Sequence, residues 1–249
     1  RKNLHTIPEV LFMSQIIGKE SKPHPQATHP LKTQISFSIE GLLNNFMLSA
    51  FNIRVFAFFQ IVKKLNPTML SLAIFLYAGW NMVNDPLIGY LSDRNSKMNN
   101  LGRRFPLILL GIFAIGFAYF LIFLVPGEIM WVNFIWLIVT TCLFDLFYSL
   151  WTTNYVSLMS VKFTPKSRKH IAVYNSIFGI IGVALGMILP GILLFGDYES
   201  QTAYIISAGI IGIISMVIAI FLIPGIKEDD KLKEKVGLSA NQPSFMETL

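Results

Sequence analysis

The stretch WNMVNDPLIGYLSDRNSKMNNLGRRFP, residues 80–106, decides the fold of this chain. Its first part is an apolar run that nevertheless contains an acid, Asp85, and two amides, Asn81 and Asn84. Its second part is a short loop in which basic residues outnumber acidic ones. An ionisable side chain inside a bilayer is costly and is a functional candidate by default. The stretch therefore predicts both a membrane helix and a functional site within it.

The composition is that of an integral membrane protein. The chain has 249 residues, of which 53% are hydrophobic and 14% charged, and its mean hydropathy is +0.58. Backbone polar groups must be satisfied internally in lipid, so membrane spans are expected to be helices and the fold all-α. The apolar runs, each long enough for a hydrocarbon core of about 30 Å, predict six spans at about 37–62, 69–91, 105–125, 130–160, 171–195 and 203–224.

The distribution of charge predicts the orientation of these spans. Lys and Arg concentrate before the first span, in the loops after the second and fourth spans, and after the sixth. The loops on the opposite side carry the basic residues Lys63 and Lys64, beside the acids Glu128, Asp197 and Glu199. By the positive-inside rule both termini are cytoplasmic and the location is a cell membrane. The net charge of +6 is then a topology signal, so lipid is the expected partner and nucleic acid is not.

These spans divide the chain into three parts. Residues 1–35 are predicted to be a cytoplasmic extension and linker, and residues 36–226 a bundle of six transmembrane helices. Residues 227–249 are predicted to be a cytoplasmic loop that leads towards a further helix. The four histidines lie outside the predicted spans, and no nucleophile, metal ligand set or acid–base pair suggests an enzyme.

The second span carries a set of oxygen ligands. Asn81 and Asp85 lie four residues apart on one helix face, with Asn84 beside them. Pro86 removes one backbone hydrogen bond and frees a carbonyl near the same depth. Such oxygens suit Na⁺, or an acid that carries H⁺. The alternative is a kinked helix with a packing pair of amides.

The fourth span carries a polar stripe at spacings of three and four residues, which predicts one face turned to a cavity. Its members are Asp145, Tyr148, Ser149, Thr152 and Tyr155. Ser and Thr also serve as hydrogen-bonding contacts between membrane helices. Asp145 favours the cavity because a lone acid in lipid is costly.

Arg54 in the first span has two equally supported interpretations. Its long side chain can extend to the membrane surface, or it can pair with Asp145 at a similar depth. We expect the pair to be compensatory, since an unpaired charge in lipid costs more than a paired one.

The fifth span is rich in glycine at spacings typical of close helix packing. The glycines are Gly179, Gly182, Gly186 and Gly191.

The loop after the second span resembles the corresponding loop of major facilitator transporters. It has Gly89, then Asp93 and Arg94, then Gly102 with Arg103 and Arg104. In that superfamily this loop helps to control alternating access, so the resemblance implies a gating role. It also implies twelve spans in two six-helix halves, of which this chain looks like the amino-terminal one, with a carboxy-terminal half as its partner.

The run Asn84-Asp-Pro-Leu-Ile-Gly89 is similar to one branch of that superfamily, the glycoside–pentoside–hexuronide cation symporters typified by the melibiose carrier. The second helix of that family supplies two sodium-binding acids, which correspond here to Asn81 and Asp85. The family's intervening Asn corresponds to Asn84 and its fourth-helix hydroxyl to Ser149. The resemblance therefore implies a cation site with one charge fewer, which leaves Na⁺, H⁺ or no coupling ion open, and no other cofactor or metal.

The sugar site of that family is preserved less well. Its first-helix acid and neighbouring Lys fall at Asn45 and Asn44, its fourth-helix acid at Thr152, and its fifth-helix Arg at Asn175, while the aromatic residue remains as Tyr148. Carboxylates usually bind sugar hydroxyls strongly, so the loss argues against a galactoside. The main hypothesis is cation-coupled symport of a small polar solute, such as a sugar or glycoside. A sodium-dependent lysolipid carrier, which shares Asp-Pro-Leu, and a non-transporting sensor or scaffold are the alternatives.

Overall fold

The computed structural model describes residues 29–94 and 102–228, apart from the side chains of residues 93 and 94. Most of the predicted amino-terminal extension and most of the predicted cytoplasmic loop at 227–249 lie outside these residues. The described residues form seven helices. They are α1 (Leu31–Ser38), α2 (Glu40–Ile61), α3 (Pro67–Arg94), α4 (Phe105–Phe123), α5 (Met130–Lys162), α6 (Pro165–Ile192) and α7 (Gln201–Ile226).

Five helical segments of the described residues are long and apolar enough to cross a membrane. They are the combined α1–α2 segment Leu31–Ile61, and helices α4, α5, α6 and α7. Helix α3 has 28 residues, about 42 Å at 1.5 Å per residue, so its length suffices for a span. Asn81, Asn84 and Asp85 lower its mean hydropathy, which explains why composition alone does not identify it.

Two helices begin earlier than their hydrophobic segments predict. The first span begins at Leu31, and the fifth, α6, begins at Pro165. Thr164 caps α6 by accepting a hydrogen bond from the Ser167 amide at 3.2 Å, and Pro165 occupies the first helical position. A helix end is set by its cap, so α6 continues past its apolar segment into basic residues.

The aromatic core lies between α2, α4, α5 and α7. Phe51 of α2 stacks on Phe144 of α5 with ring centroids 4.5 Å apart. Phe58 of α2 contacts Phe123 of α4 and Tyr204 of α7 at 5.1 and 5.0 Å. Helices α3 and α6 lie outside this core and expose apolar side chains such as Phe75 and Ile180. Their outer faces are therefore available to lipid or to further protein.

Glycines bring α6 against α2 at backbone distance. A Cβ at Gly182 would collide with the carbonyl oxygen of Leu42, and one at Gly186 with that of Phe46. On the opposite side, a Cβ at Gly41 would collide with the backbone of Asn175. The predicted close packing of the fifth span is confirmed, and it brings Asn175 next to the polar face of α2.

Helices α3 and α5 run side by side in a constant register. Asn81 contacts Asp145, and Asp85 contacts Ser149 one turn further on in both helices. After another turn, a Cβ at Gly89 would lie 3.9 Å from Cγ2 of Thr153. Residues four apart on one face of α3 therefore meet residues four apart on one face of α5. This register positions the site described next.

Candidate functional site

Asp145 of α5 is bound by the two amides of α3. Nδ2 of Asn81 donates to Oδ1 of Asp145 at 2.8 Å, and Nδ2 of Asn84 donates to Oδ2 at 2.9 Å. Nδ2 of Asn84 also lies 3.1 Å from the Asp145 carbonyl oxygen. Asp145 is only 1% exposed and Asn84 is fully buried. The amides that the sequence assigns to a site around Asp85 therefore hold a second carboxylate, supplied by the neighbouring helix.

Asp85 accepts its own hydrogen bond one helical turn further along. Oγ of Ser149 donates to Oδ1 of Asp85 at 2.5 Å. Ser149 is buried, whereas Asp85 is exposed on the outer side of the described bundle. We call Asn81, Asn84, Asp85, Asp145 and Ser149 the carboxylate–amide cluster. It contains one accessible acid and one buried acid.

The carboxylate–amide cluster and the backbone of α3 beside it contain acceptors that have no donor. Oδ1 of Asn84 is buried and makes no hydrogen bond within the described residues. Pro86 lies inside α3, so the carbonyl of Met82, four residues earlier, has no helical N–H to accept from. Carboxylate, amide and hydroxyl oxygens are the ligands that hard cations prefer. These residues fit a cation.

A second polar group forms around Glu40 of α2. Nδ2 of Asn44 donates to Oε1 of Glu40, and Nδ2 of Asn175 donates to Oε2, both at 2.8 Å. The Tyr148 hydroxyl donates to Oδ1 of Asn44 at 2.9 Å. We call these four residues the Glu40 cluster. It unites three of the five predicted solute-binding residues, Asn44, Tyr148 and Asn175, around an acid that the sequence analysis passed over.

The other two predicted solute-binding residues bond to their own helices. Nδ2 of Asn45 donates to the Gly41 carbonyl at 2.9 Å and lies against Gly179 of α6. The Thr152 hydroxyl donates to the Tyr148 carbonyl at 3.0 Å. The structure therefore does not bring Asn45 or Thr152 into the Glu40 cluster.

The predicted ion pair between Arg54 and Asp145 is not formed in the structure. Asp145 faces the amides of α3 and, at 3.5 Å, the Tyr77 hydroxyl. The Arg54 guanidinium instead lies against Gly191 of α6, where a Cβ would collide with Nη2. The physical reason is that two amides of α3 already occupy the carboxylate, on a face that α5 turns towards α3 and away from Arg54.

The described part of the predicted gating loop is anchored by an acid at the end of α7. Oε1 of Glu228 accepts from the amides of Arg104 and Phe105 at 2.6 and 2.9 Å, which caps the start of α4. The Arg103 side chain donates to the Ser92 carbonyl at 3.2 Å. Gly102 has φ +100°, and a Cβ there would meet the Glu228 carboxylate at 2.6 Å. The Asp93 and Arg94 side chains lie outside the described residues.

Sequence reasoning missed two buried acids in the described residues, Glu40 and Glu228. Glu40 lies inside the predicted span 37–62 and four residues before Asn44, so its position within an apolar segment was a usable signal. Glu228 follows the last span among several charged residues, and nothing local distinguishes it from its neighbours. Only packing between the ends of α4 and α7 reveals its role.

Comparison with known proteins identifies the class. Residues 36–249 match the family described as MFS/sugar transport protein. The match covers most of the chain, so this chain belongs to the major facilitator superfamily of membrane transporters.

The chain is similar to particular members of that superfamily. It is 26% identical over 205 residues to the sodium-dependent lysophosphatidylcholine symporter 1 of Mus musculus, covering 70% of this chain and 38% of that protein. It is 23% identical over 234 residues to symporter 1-A of Danio rerio, covering 80% and 43%. It is 23% identical over 230 residues to the sphingosine-1-phosphate transporter MFSD2B of Xenopus tropicalis, covering 80% and 44%. The chain thus spans less than half the length of these relatives.

These findings refine the expectations from sequence. The all-α integral membrane fold and the superfamily are confirmed, and the family is one of transporters. The names of these relatives refer to lysophosphatidylcholine and sphingosine-1-phosphate, so they do not specifically support the melibiose-carrier branch. The comparison favours the lysolipid alternative over the sugar hypothesis.

Proposed function

We propose that this chain is the amino-terminal half of a cation-coupled symporter for a lysolipid or a similar amphiphile. The carboxylate–amide cluster carries this proposal. Two acids, Asp85 and Asp145, face two amides and a hydroxyl between α3 and α5, inside helices that are otherwise apolar. Ionisable groups at such positions mark ion pathways in membrane proteins. The other half, a cell-membrane location and cytoplasmic termini are parts of the same proposal.

Na⁺ is the coupling ion that this cluster favours. A proton needs one acid, whereas Na⁺ needs several oxygens around it. Oδ1 of Asn84 is such an oxygen, buried and without a donor. The relatives named as sodium-dependent symporters support the same choice. Asp85 is exposed, so a cation can reach it without unfolding the helix pair.

An amphiphile suits the surroundings of the two clusters. Beside Asp85, α3 exposes Met82 (79%) and Val83 (62%), an apolar surface on which an acyl chain can lie. Val156 of α5 is 57% exposed and offers no aromatic ring for a sugar to stack on. The amides and Tyr148 of the Glu40 cluster then provide polar contacts for a headgroup.

Uptake by the full-length gene product in proteoliposomes tests this function. We expect radiolabelled lysophosphatidylcholine to accumulate under an inward Na⁺ gradient, and to do so less under a K⁺ gradient of the same size. Accumulation of melibiose instead would support the hypothesis of a small polar solute. The Glu40 carboxylate is the observation that favours this second candidate, because carboxylates bind sugar hydroxyls. No accumulation of either under Na⁺ or H⁺ gradients would contradict the proposal and favour a sensor or scaffold.

A further inference from the structure

We infer that Asp145 is a direct ligand of the coupling cation, so that the cation site is shared between α3 and α5. The inference rests on the proposed cation coupling and assigns a residue for which the sequence predicted a different partner, Arg54. The ligands of the cation would be the carboxylates of Asp85 and Asp145 together with Oδ1 of Asn84. The cation class is a monovalent hard ion, Na⁺.

The first observation is the electrostatic situation of Asp145. Its carboxylate is 1% exposed, and its bonds to Asn81, Asn84 and Tyr77 come from neutral groups. Among the described side chains of residues 29–92 and 102–228, no basic group forms an ion pair with it. A buried carboxylate stays ionised only beside a compensating positive charge and otherwise takes up a proton. A bound cation supplies the missing positive charge.

The second observation is independent of charge. The Asn84 carboxamide is fully buried, its nitrogen is engaged by Asp145, and its oxygen has no donor. Nearly all buried acceptors in folded proteins have a partner. The ionised carboxylate of Asp145 cannot satisfy this acceptor, because ionised carboxylates only accept. A cation is the partner that satisfies all three groups together.

The register of α3 and α5 places the two acids suitably. Asp85 bonds to Ser149, which lies four residues after Asp145 on the same face of α5. The two carboxylates therefore lie about one helical turn apart along the helix pair, and two negative charges at that spacing repel each other. A cation between them removes that repulsion. Asp85, exposed, is the entry side of the site, and Asp145, buried, is its inner side.

Moving the acid from position 145 of α5 to position 81 of α3 tests whether Asp145 is a ligand of the cation. Oδ1 of Asp145 and Nδ2 of Asn81 are 2.8 Å apart, so the double variant Asn81→Asp/Asp145→Asn exchanges acid and amide at almost the same point. We expect Asp145→Asn to raise the dissociation constant for ²²Na⁺, measured on the purified full-length gene product, by at least the roughly 10- to 100-fold that loss of an outer-shell partner costs. The double variant should return most of the lost affinity. Cys142→Ser, one turn earlier on α5, is the matched control and should bind as wild type.

The outcomes separate the ligand role of Asp145 from the proposed Na⁺ coupling. If wild type binds ²²Na⁺ and Asp145→Asn binds equally well, Asp145 is not a ligand, and only this inference is lost. If Asp145→Asn loses binding and a well-folded double variant does not recover it, Asp145 acts through the structure and the inference is also wrong. Wild type that binds no Na⁺ would overturn the proposed coupling as well. Should Asp145→Asn misfold, Na⁺ binding by the charge-conserving double variant decides alone.

Discussion

The carboxylate–amide cluster and the Glu40 cluster are built from the same chemistry but differ in how completely they are satisfied. Each Glu40 oxygen accepts from one amide, and the carboxylate is only 5% exposed. In the other cluster, Asp85 is exposed and Asn84 has a buried oxygen without a donor. Asp145 is bonded as fully as Glu40, so the clusters differ at Asp85 and at the Asn84 oxygen. A saturated network rigidifies its surroundings, whereas an acceptor without a donor has room for a ligand. The comparison assigns ion binding to α3–α5 and the positioning of Tyr148 and two amides to Glu40.

The difference also follows from the helices that carry the clusters. Helices α2 and α6 meet at glycines, so their backbones are in contact and Glu40 is buried. Helix α3 lies outside the aromatic core and turns Asp85 outwards. Close packing therefore separates a scaffold from an accessible site within one membrane bundle.

The largest expected effect comes from the accessible acid. We expect Asp85→Asn to abolish the accumulation of solute that an imposed Na⁺ gradient drives, because the entry-side charge is lost. Folding should persist, since an amide oxygen still accepts from Ser149. The measurement is uptake by full-length wild type and variant with and without the gradient. Asp197→Asn, an exposed acid in the loop before α7, is the control. Undiminished accumulation by Asp85→Asn would make Asp85 a structural acid.

Glu40→Gln tests the scaffold side of the comparison. One of the two amide nitrogens would then face an NH₂ group, and the unsatisfied buried group should cost about 1–3 kcal/mol of stability. Thermal unfolding of the full-length gene product in detergent measures this loss as a lower Tm. The affinity for ²²Na⁺ should stay that of wild type. A large loss of Na⁺ affinity at unchanged Tm would reverse the assignment of the two clusters.

Substitution at the glycine contacts tests why Glu40 is buried while the other residues of the Glu40 cluster remain half-buried. Gly182→Ala would place a Cβ on the Leu42 carbonyl, and we expect about 1–3 kcal/mol of destabilisation from the overpacking. Gly79→Ala on α3 has open space around its Cβ and should be neutral or stabilising by up to about 1 kcal/mol. Thermal unfolding in detergent measures both. Equal effects at the two positions would show that the α2–α6 contact is less tight than the structure has it.

The smallest expected effect is a coupling energy. Because Arg54 and Asp145 do not touch, the effects of Arg54→Leu and Asp145→Leu on stability should add to within about 0.5 kcal/mol. This reverses the compensation that the sequence predicts. The measurement is a double-mutant cycle of thermal stability, with Asn81→Ala and Asp145→Leu as a contacting reference pair. If the second Leu substitution restored the stability lost in the first, the ion pair predicted from the sequence would be supported after all.

Hydropathy and spacing along the chain were enough to predict the helices and most of the candidate residues. A helix in lipid must satisfy its own backbone, so an apolar run of sufficient length predicts a span without knowledge of its neighbours. The four-residue spacings of Asn81 with Asp85 and of Asp145 with Ser149 likewise fix one face of each helix. Cap chemistry at Thr164 and Pro165 was also present in the sequence, although hydropathy placed the start of that helix further on.

Partnership between helices was decided by the tertiary structure alone. The position of Arg54 along its span predicts a similar depth in the membrane to that of Asp145, and hence an ion pair. In the structure, the register of α3 against α5 places Asn81 and Asn84 against that carboxylate instead. The same holds for Glu40, whose partner Asn175 reaches it only because glycines let α6 approach α2. Local spacing determines which face a side chain occupies. Which face it meets depends on the packing of backbones that are far apart in sequence, and no residue's neighbours along the chain encode that.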